Sequence, residues 1–210
     1  MKEGIKPVTV EQLRVKGFDD NFSYLLYTPE GDAAIVDPTG NVDVILSALR
    51  NAPLELTPRY ILITHSHRDH ISALADVLKT FPAPVTAHPE AKVNADITVN
   101  DGQLLPFGSF AIECIYTPGH TNDSICYRTT DDSALFTGDT LFIDWCGYCN
   151  AKTMFKTMRE KLYPLAGSLV VWSGHDYGHI PYATLGEEKN SNPYLRSTDF
   201  ASFKEELKKL

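Results

Sequence analysis

The hydrophobic positions of this chain form many short runs separated by turn residues, a pattern that predicts strands. Gly, Pro, Asn and Asp bound the runs, and a hairpin turn is predicted at 29–32. The predicted strands, in chain order, are NFSYLLYT, DAAIVDP, RYILIT, PVTA, QLLPF, FAIECIYT, SICYRT, SALFTG and SLVVW. RYILIT and SLVVW are compact apolar runs, which favours burial of both strands.

Apolar residues recur at helical spacing in four further segments, which predicts helices between the strands. The first follows Asn41, a residue type that caps helices. The spaced residues are Val42, Ile45, Leu46 and Leu49; Ile71, Leu74, Ala75 and Leu78; Phe155, Met158 and Leu162; and Phe200, Phe203, Leu207 and Leu210. Strands outnumber helices, yet helices occur along the whole length. This order predicts an α/β fold of the α+β type, with sheets packed together and helices on their outer faces.

Length and composition predict one globular domain over residues 1–210. The chain is 43% hydrophobic and 22% charged, and no repeat, low-complexity tract or linker divides it. The opening stretch MKEGIKPVTV lacks the apolar region of a secretory signal, and no apolar run has the length of a membrane span. We therefore expect a cytoplasmic protein without a membrane partner. A net charge of −8, without clustered Lys and Arg, argues against a nucleic-acid partner.

The four cysteines predict reduced thiols rather than a disulfide framework. Cys114, Cys126, Cys146 and Cys149 are few for a chain of this length, and all lie in its second half. The last two form a C-x-x-C ahead of a predicted helix, a spacing that can support disulfide exchange. A thiol-disulfide redox protein using Cys146 and Cys149 is therefore a minor alternative function.

The segment ILITHSHRDHISAL contains the densest group of metal-binding side chains. His65 and His67 follow a strand two residues apart, so in extended chain both imidazoles project to the same side and can share a metal ion. Asp69 and His70 lie where the chain turns into a helix, pointing away from the first pair and able to serve a second ion. Imidazole and carboxylate ligands suit Zn²⁺ and Fe²⁺.

Three further residues of the same chemistry follow predicted strands at turns that contain glycine. They are His120 in YTPGHT, Asp139 in LFTGDTLF and His175 in VWSGHDYG. Loops at strand ends are where a rigid scaffold presents functional groups. The sequence therefore predicts one metal centre assembled from His65, His67, Asp69, His70, His120, Asp139 and His175.

The motifs HSHRDH, TPGHT, TGD and GHDYG, in that order, resemble the metallo-β-lactamase superfamily over nearly the whole chain. The resemblance implies an αββα sandwich of two mixed β-sheets, with two divalent metal ions at one edge, zinc first among the candidates. It implies that His65, His67 and His120 hold the first ion and Asp69, His70 and His175 the second, with Asp139 bridging them. Metal-bound hydroxide would be the nucleophile, and Asp69 could accept or relay a proton.

The stretch from Thr137 to Arg196 resembles two branches of that superfamily. One is glyoxalase II, which hydrolyses S-hydroxyacylglutathione thioesters, and the other is the persulfide dioxygenases. The second branch uses one iron, at positions that match His65, His120 and Asp139, a set suited to non-haem iron. We expect a glyoxalase II-like hydrolase of a thiol-derived small molecule, with the dioxygenase as the alternative.

Three departures from these branches concern the recognition of glutathione. The chain ends before the C-terminal helical region of glyoxalase II, and Tyr148 stands where Arg or Lys usually follows Cys-Gly, which removes a cation for a glutathione carboxylate. The motifs GHDYG, TLGEEK and NPYLR resemble the dioxygenase branch more than glyoxalase II. Tyr177 matches a tyrosine that contacts glutathione in glyoxalase II, so Tyr177 and Tyr148 are the candidate substrate contacts.

Overall fold

The computed structural model describes residues 7–209, which form two six-stranded β-sheets. The first sheet contains β1 (Thr9–Arg14), β2 (Phe22–Tyr27), β3 (Asp32–Val36), β4 (Thr57–Leu62), β5 (Val85–Ala87) and β6 (Ile97–Thr98). The second contains β7 (Leu104–Phe107), β8 (Phe110–Tyr116), β9 (Ile125–Thr129), β10 (Ala134–Gly138), β11 (Val170–Ser173) and β12 (Ala183–Thr184).

Both sheets mix parallel and antiparallel pairing. In the first, β1, β2 and β3 pair antiparallel, whereas β3 to β6 pair parallel. In the second, β7 to β10 pair antiparallel, β11 lies parallel to β10, and β12 closes the edge antiparallel to β11. As a result β3 and β4 end at the same edge of the first sheet, and β8, β10 and β11 end at the same edge of the second.

The helices lie in two groups, one for each sheet. They are α1 (Val42–Asn51), α2 (Arg68–Ile71), α3 (Leu74–Thr80), α4 (Ala151–Thr157), α5 (Leu185–Ser191), α6 (Pro193–Arg196) and α7 (Phe200–Leu207), and one π-helical turn (Met158–Leu162) continues α4. As the sequence predicts, Asn41 caps α1, where its side chain accepts a hydrogen bond from the backbone N–H of Asp43. None of the helices in residues 7–209 is both long and apolar enough to span a membrane.

The apolar core has three layers, which define the sandwich. The central layer lies between the sheets and joins Tyr24 and Leu26 of β2 to Tyr127 and Phe136 of the second sheet. One outer layer packs α1 and α3 on the first sheet, and the other packs α4, α5, α6 and α7 on the second. Two mixed sheets with helices on their outer faces confirm the predicted αββα fold.

Several parts of the structure differ from what the sequence pattern predicts, among them the unpredicted strands β1 and β6. The helix expected after His70 is divided into α2 and α3, because the backbone N–H of Ala73 donates to the carbonyl of Pro38 instead of to its own helix. The segment 182–192, for which the sequence pattern predicts no strand or helix, contains β12 and α5. Leu210, expected in the last helix, lies outside the described residues.

Candidate metal centre

All seven predicted ligand residues lie together where strand ends of the two sheets meet. The loops that carry them follow β4, β8, β10 and β11, which end at this edge of the sandwich. Hydrogen bonds between the sheets fix the edge: the N–H of Ile125 donates to the carbonyl of Thr64, and that of Phe22 donates to the carbonyl of Gly174. Strand pairing therefore determines the arrangement of side chains that are distant in sequence.

The first group of side chains is formed by His65, His67 and His120. Each offers one nitrogen, and these atoms all lie within 4.8 Å of one another. The ring centroids are separated by 4.6 Å for His65 and His67, 4.9 Å for His65 and His120, and 4.8 Å for His67 and His120. His65 is buried, whereas His67 is exposed, so this group faces solvent on one side.

The second group is formed by Asp69, His70 and His175, on the more buried side of the centre. The Nε2 atom of His70 lies 3.5 Å from Oδ2 of Asp69, and that of His175 lies 3.4 Å from the same oxygen. Both histidines are buried, and Asp69 is half-buried. The side chain of Asn21 donates a hydrogen bond to Oδ2 of Asp69 at 3.1 Å, which fixes the carboxylate.

Asp139 lies between the two groups and presents one carboxylate oxygen to each. Its Oδ1 is 3.2 Å from Nε2 of His70 and 3.4 Å from Nε2 of His175. Its Oδ2 is 3.5 Å from Nε2 of His120 and 3.9 Å from Nε2 of His65. The carboxylate is therefore oriented as a bridging ligand would be.

Three buried atoms at the centre are suited to metal ions. Within residues 7–209, Nε2 of His65, Nε2 of His70 and Oδ1 of Asp139 are buried and make no hydrogen bond. Buried polar atoms are normally paired, so unpaired ones that converge on one point indicate a missing partner. Nitrogen and oxygen donors in this number suit one or two Zn²⁺ or Fe²⁺ ions.

The opposite nitrogens of the histidine rings are held by hydrogen bonds, which orients the rings. Nδ1 of His70 is 2.9 Å from a carboxylate oxygen of Asp37, and Nδ1 of His120 is 2.8 Å from the carbonyl oxygen of Tyr148. Nδ1 of His175 contacts the carbonyl oxygen of Asp19. With Nδ1 as the donor in each pair, Nε2 keeps the lone pair that can bind a metal ion, the arrangement in which outer-shell partners fix metal-binding histidines.

Asp37 is the most extensively bonded of these outer residues. It accepts hydrogen bonds from the N–H of Thr64 at 2.8 Å, from the hydroxyl of Thr64 at 2.6 Å, and from Nδ1 of His70. The structure shows that it connects the end of β3 to the loop after β4 and to His70.

We expect Asp37→Asn to weaken metal binding. Asn keeps an acceptor for Thr64 and tolerates the left-handed backbone of this position, where φ is +47°, but it loses the negative charge behind His70. Outer-shell changes of this kind typically lower metal affinity or activity roughly 10-fold to 100-fold. Chelator competition checks the prediction, with Asp43→Asn on the exposed face of α1 as the control. An affinity equal to the wild type in Asp37→Asn would contradict it.

The charges of the centre are strongly coupled in the absence of an ion. Burial opposes the charged form of His70, but Asp139 and Asp37 outweigh it and hold the pKa of His70 well above its ordinary value. Burial likewise opposes ionisation of Asp139, yet His70 and its neighbours hold the Asp139 pKa well below its usual range. Burial lowers the pKa of His175, but Asp139 and Asp69 reverse this and raise it to about 9.

These shifts predict that metal affinity rises with pH. Below about pH 9 His175 binds a proton that a metal ion must displace, so affinity should rise at least about tenfold per pH unit between roughly pH 6 and 8. The metal-free fold has the opposite dependence: stabilisation by protonated His175 is present below the unfolded pKa and is lost as pH rises through about 9.

Chelator competition at a series of pH values measures this slope. His179→Gln is the matched control, because His179 is exposed and pairs with Asp144. It should leave the slope unchanged. A metal affinity that does not vary between about pH 6 and 8 would show that no proton is displaced from the centre.

A cleft of about 920 Å³ opens beside the centre. Its lining residues are His120, Asp139, Phe142, Trp145, Cys146, Gly147, Tyr148, Asp176, Tyr177, Leu207 and Lys209. Tyr148 is 87% exposed at the mouth, and Tyr177 is 40% exposed. The Tyr177 ring stacks on His175 with centroids 4.7 Å apart, and its hydroxyl donates to Asp19. Both predicted substrate contacts therefore line the cleft, and Tyr177 also packs against a candidate ligand.

Sequence reasoning missed two residues that hold the centre in place. Asn21 fixes Asp69, and a backbone bridge joins Asn21 to His175. Asp123 accepts hydrogen bonds from the N–H of Ser66 at 2.8 Å and from its hydroxyl at 2.6 Å, which holds the loop between His65 and His67. Neither lies in a recognisable motif. Their roles depend on long-range packing, which one sequence does not reveal.

The fold and this centre define a metallo-β-lactamase-type domain. The family model described as the metallo-beta-lactamase superfamily matches residues 17–175. The chain belongs to this superfamily, which confirms the resemblance carried by the histidine and aspartate motifs.

Relatives within the superfamily have two different enzymatic activities. The human mitochondrial persulfide dioxygenase ETHE1 is 34% identical over 83% of this chain and 71% of its own length. The hydroxyacylglutathione hydrolase of Hahella chejuensis is 35% identical over 80% of this chain and 66% of its own length. The hydroxyacylglutathione hydrolase GloC of Haemophilus influenzae is 29% identical over 90% of this chain and 99% of its own length. Both predicted branches are therefore represented at similar identity, and both contain enzymes.

Proposed function

We propose that this protein is a metal-dependent hydrolase that cleaves a thioester of a thiol such as glutathione, with two divalent ions, zinc first, in the centre. Asp139 carries the proposal, because its two oxygens face two separate groups of side chains. Asp69, His70 and His175 complete the second group. A second ion needs this second group of ligands, whereas a single iron held by His65, His120 and Asp139 does not.

When bound, the ions supply a hydroxide nucleophile near neutral pH and stabilise the negative charge that develops on the thioester oxygen. The residues of the chain position the ions and control protons. Asp69 is the carboxylate placed to accept a proton, but the hydrogen bond with His175 lowers its pKa. A carboxylate with a lowered pKa is a weak base, so its role is to relay the proton rather than retain it.

The cleft supports a thiol-derived substrate. Phe142, Trp145 and Tyr177 provide apolar contact, and Lys209 places a cation at the same cleft, where it pairs with Glu206 at 2.6 Å. Related enzymes have Arg or Lys directly after Cys-Gly, where this chain has Tyr148. Lys209 can supply the missing positive charge for a glutathione carboxylate. The match to GloC extends over 99% of that protein's length, so a hydrolase of that name lacks the C-terminal extension expected of glyoxalase II.

We also propose a single domain and a cytoplasmic location. The central apolar layer shared by both sheets supports a single domain over residues 1–210. The cytoplasmic location and the lack of a nucleic-acid partner stay predictions from the sequence.

A mononuclear iron persulfide dioxygenase is the second candidate. It is favoured by the human relative of that name at 34% identity and by the trio of His65, His120 and Asp139. In that trio, Oδ2 of Asp139 is 3.9 Å from Nε2 of His65 and 3.5 Å from Nε2 of His120. Two histidines and one carboxylate leave open positions for oxygen chemistry at iron.

Metal analysis with two parallel assays separates the candidates. The purified protein is analysed for bound metals and tested for cleavage of S-lactoylglutathione and for oxygen uptake with glutathione persulfide. We expect two ions per chain and thioester cleavage. One bound iron per chain, with oxygen uptake and no thioester cleavage, would overturn the hydrolase proposal.

The substitutions Asp69→Asn and His175→Ala also separate the hydrolase from the dioxygenase, because both residues lie in the second group. Both substitutions should abolish hydrolase activity that needs two ions. They should largely preserve dioxygenase activity at the trio of His65, His120 and Asp139. A hydrolase activity that survives both substitutions would remove the proposed need for a second ion.

A further inference from the structure

The loop from Cys146 to Cys149 lies between the centre and α4. Both side chains pack in one apolar cluster, and the two cysteines are only three positions apart in the chain, so a small adjustment of the backbone can pair them. Cys146 is 2% exposed, and Cys149 is half-buried. The proposed hydrolysis uses neither thiol. The segment that joins them is irregular, without helix or strand structure to hold it rigid.

The two residues between the cysteines are attached directly to candidate ligands. The carbonyl of Tyr148 is 2.8 Å from Nδ1 of His120, and the N–H of Gly147 donates to the carbonyl of Asp139 at 3.1 Å. The N–H of Asn150 donates to the carbonyl of Gly119, next to His120, at 2.8 Å. Any change in the backbone between the cysteines therefore alters the support of His120.

Packing at Gly147 shows how little room this loop has. A Cβ atom there would overlap the carbonyl oxygen of Asp139 and lie 2.9 Å from Nδ1 of His120. Close-packed groups transmit displacement instead of absorbing it. A shift of Gly147 or Tyr148 would therefore move both hydrogen bonds.

We propose that Cys146 and Cys149 are a modification site for low-molecular-weight disulfides, and that their oxidation disrupts the metal centre through the carbonyl of Tyr148. The half-buried Cys149 thiolate attacks one sulfur of the disulfide RSSR and releases RS⁻. Cys146, having lost its proton, then attacks the Cys149 sulfur and releases the second RS⁻. Two protein thiols are oxidised to one disulfide, and RSSR is reduced to two RSH.

The other cysteines do not compete for this chemistry. Cys126 is fully buried and hydrogen-bonded to Thr117, and Cys114 lies in the central layer between the sheets. This inference rests on the proposed function in one respect. Oxidation lowers thioesterase activity only if His120 takes part in thioester hydrolysis. Formation of the disulfide and loss of metal do not depend on which reaction the centre catalyses.

The experiment equilibrates the metal-loaded protein with glutathione and glutathione disulfide at a series of ratios. Peptide mass mapping should find a Cys146–Cys149 disulfide, and bound metal and thioesterase activity should fall together by about tenfold, the range for loss of an outer-shell contact. Excess reductant and metal should restore both. Cys149→Ser should retain metal and activity at every ratio, and Cys114→Ala should respond like the wild type.

Three outcomes would overturn the inference. The first is no disulfide between these cysteines at any ratio tested. The second is a disulfide that leaves metal content unchanged, and the third is equal sensitivity in Cys149→Ser. If the protein cleaves no thioester, disulfide mapping and metal content still decide the inference, so its failure is distinguishable from failure of the proposed function.

Discussion

Replacing Asp139 by Asn is expected to lower kcat/KM at least about a thousandfold, equivalent to roughly 4 kcal/mol of transition-state stabilisation. Asn has the same shape but only one carbonyl oxygen and no charge, so it cannot present an anionic oxygen to both groups. The wild-type carboxylate lies 3.2 Å from Nε2 of His70 on one side and 3.5 Å from Nε2 of His120 on the other. Bound metal should fall from two ions per chain to one or none.

The control is Asp132→Asn, an exposed aspartate whose left-handed backbone Asn accepts. It should leave metal content and kcat/KM unchanged. The metal-free Asp139→Asn protein should stay folded, because loss of the carboxylate also removes the charge that raises the pKa of His70 and His175, and burial then favours their neutral forms. Two ions and wild-type turnover in Asp139→Asn would contradict the bridging role and the hydrolase built on it.

The sequence predicted those elements whose local pattern agrees with their tertiary environment. Strand β2 appears as an apolar run because both of its faces are covered, and it is buried along its whole length from Phe22 to Tyr27. Helix α1 combines spaced apolar residues with a capping side chain at Asn41. At such positions the local preference and the final contacts favour the same conformation, so the pattern alone is sufficient.

The missed elements depend on contacts that a local pattern does not contain. Strand β1 mixes polar and apolar residues and is defined by pairing with β2 from Thr9 to Arg14. Helix α5 has a capping box, in which the Thr184 and Glu187 side chains each bond the backbone of the other. That signal was present in the sequence, but few apolar residues accompany it. The break between α2 and α3 depends on Pro38, more than thirty residues earlier.

The candidate centre was predictable for a different reason. Its side chains are of rare, recognisable types, and each follows a strand, so the positions of His120, Asp139 and His175 could be named without their distances. The supporting residues could not be named, because Asn and Asp are common in loops. Asn21 is 48 positions from Asp69, and Asp123 is 57 positions from Ser66. Only strand order brings these pairs together.

Substituting Gly174 by Ala is expected to disrupt the centre although it adds a single methyl group. Gly174 lies between the end of β11 and His175, and its N–H donates to the carbonyl of Gly138 at 2.9 Å. A Cβ atom there would overlap Oδ1 of Asp139 and lie 2.7 Å from Cε1 of His70. The glycine therefore allows the strand end to approach both groups. Relief of the overlap requires Asp139 or His70 to move.

We expect Gly174→Ala to lose at least about a hundredfold in kcat/KM, because displacement of a reacting group by about 1 Å has that effect. Bound metal should fall as well, and overpacking should cost about 1–3 kcal/mol of stability. Gly167→Ala is the matched control, since its Cβ would meet Gly186 only at an ordinary contact distance of 3.4 Å. Metal analysis, urea unfolding and kinetics on both variants separate the two effects. If Gly174→Ala were as active as Gly167→Ala, the space at Gly174 would not be what lets Asp139 face both groups.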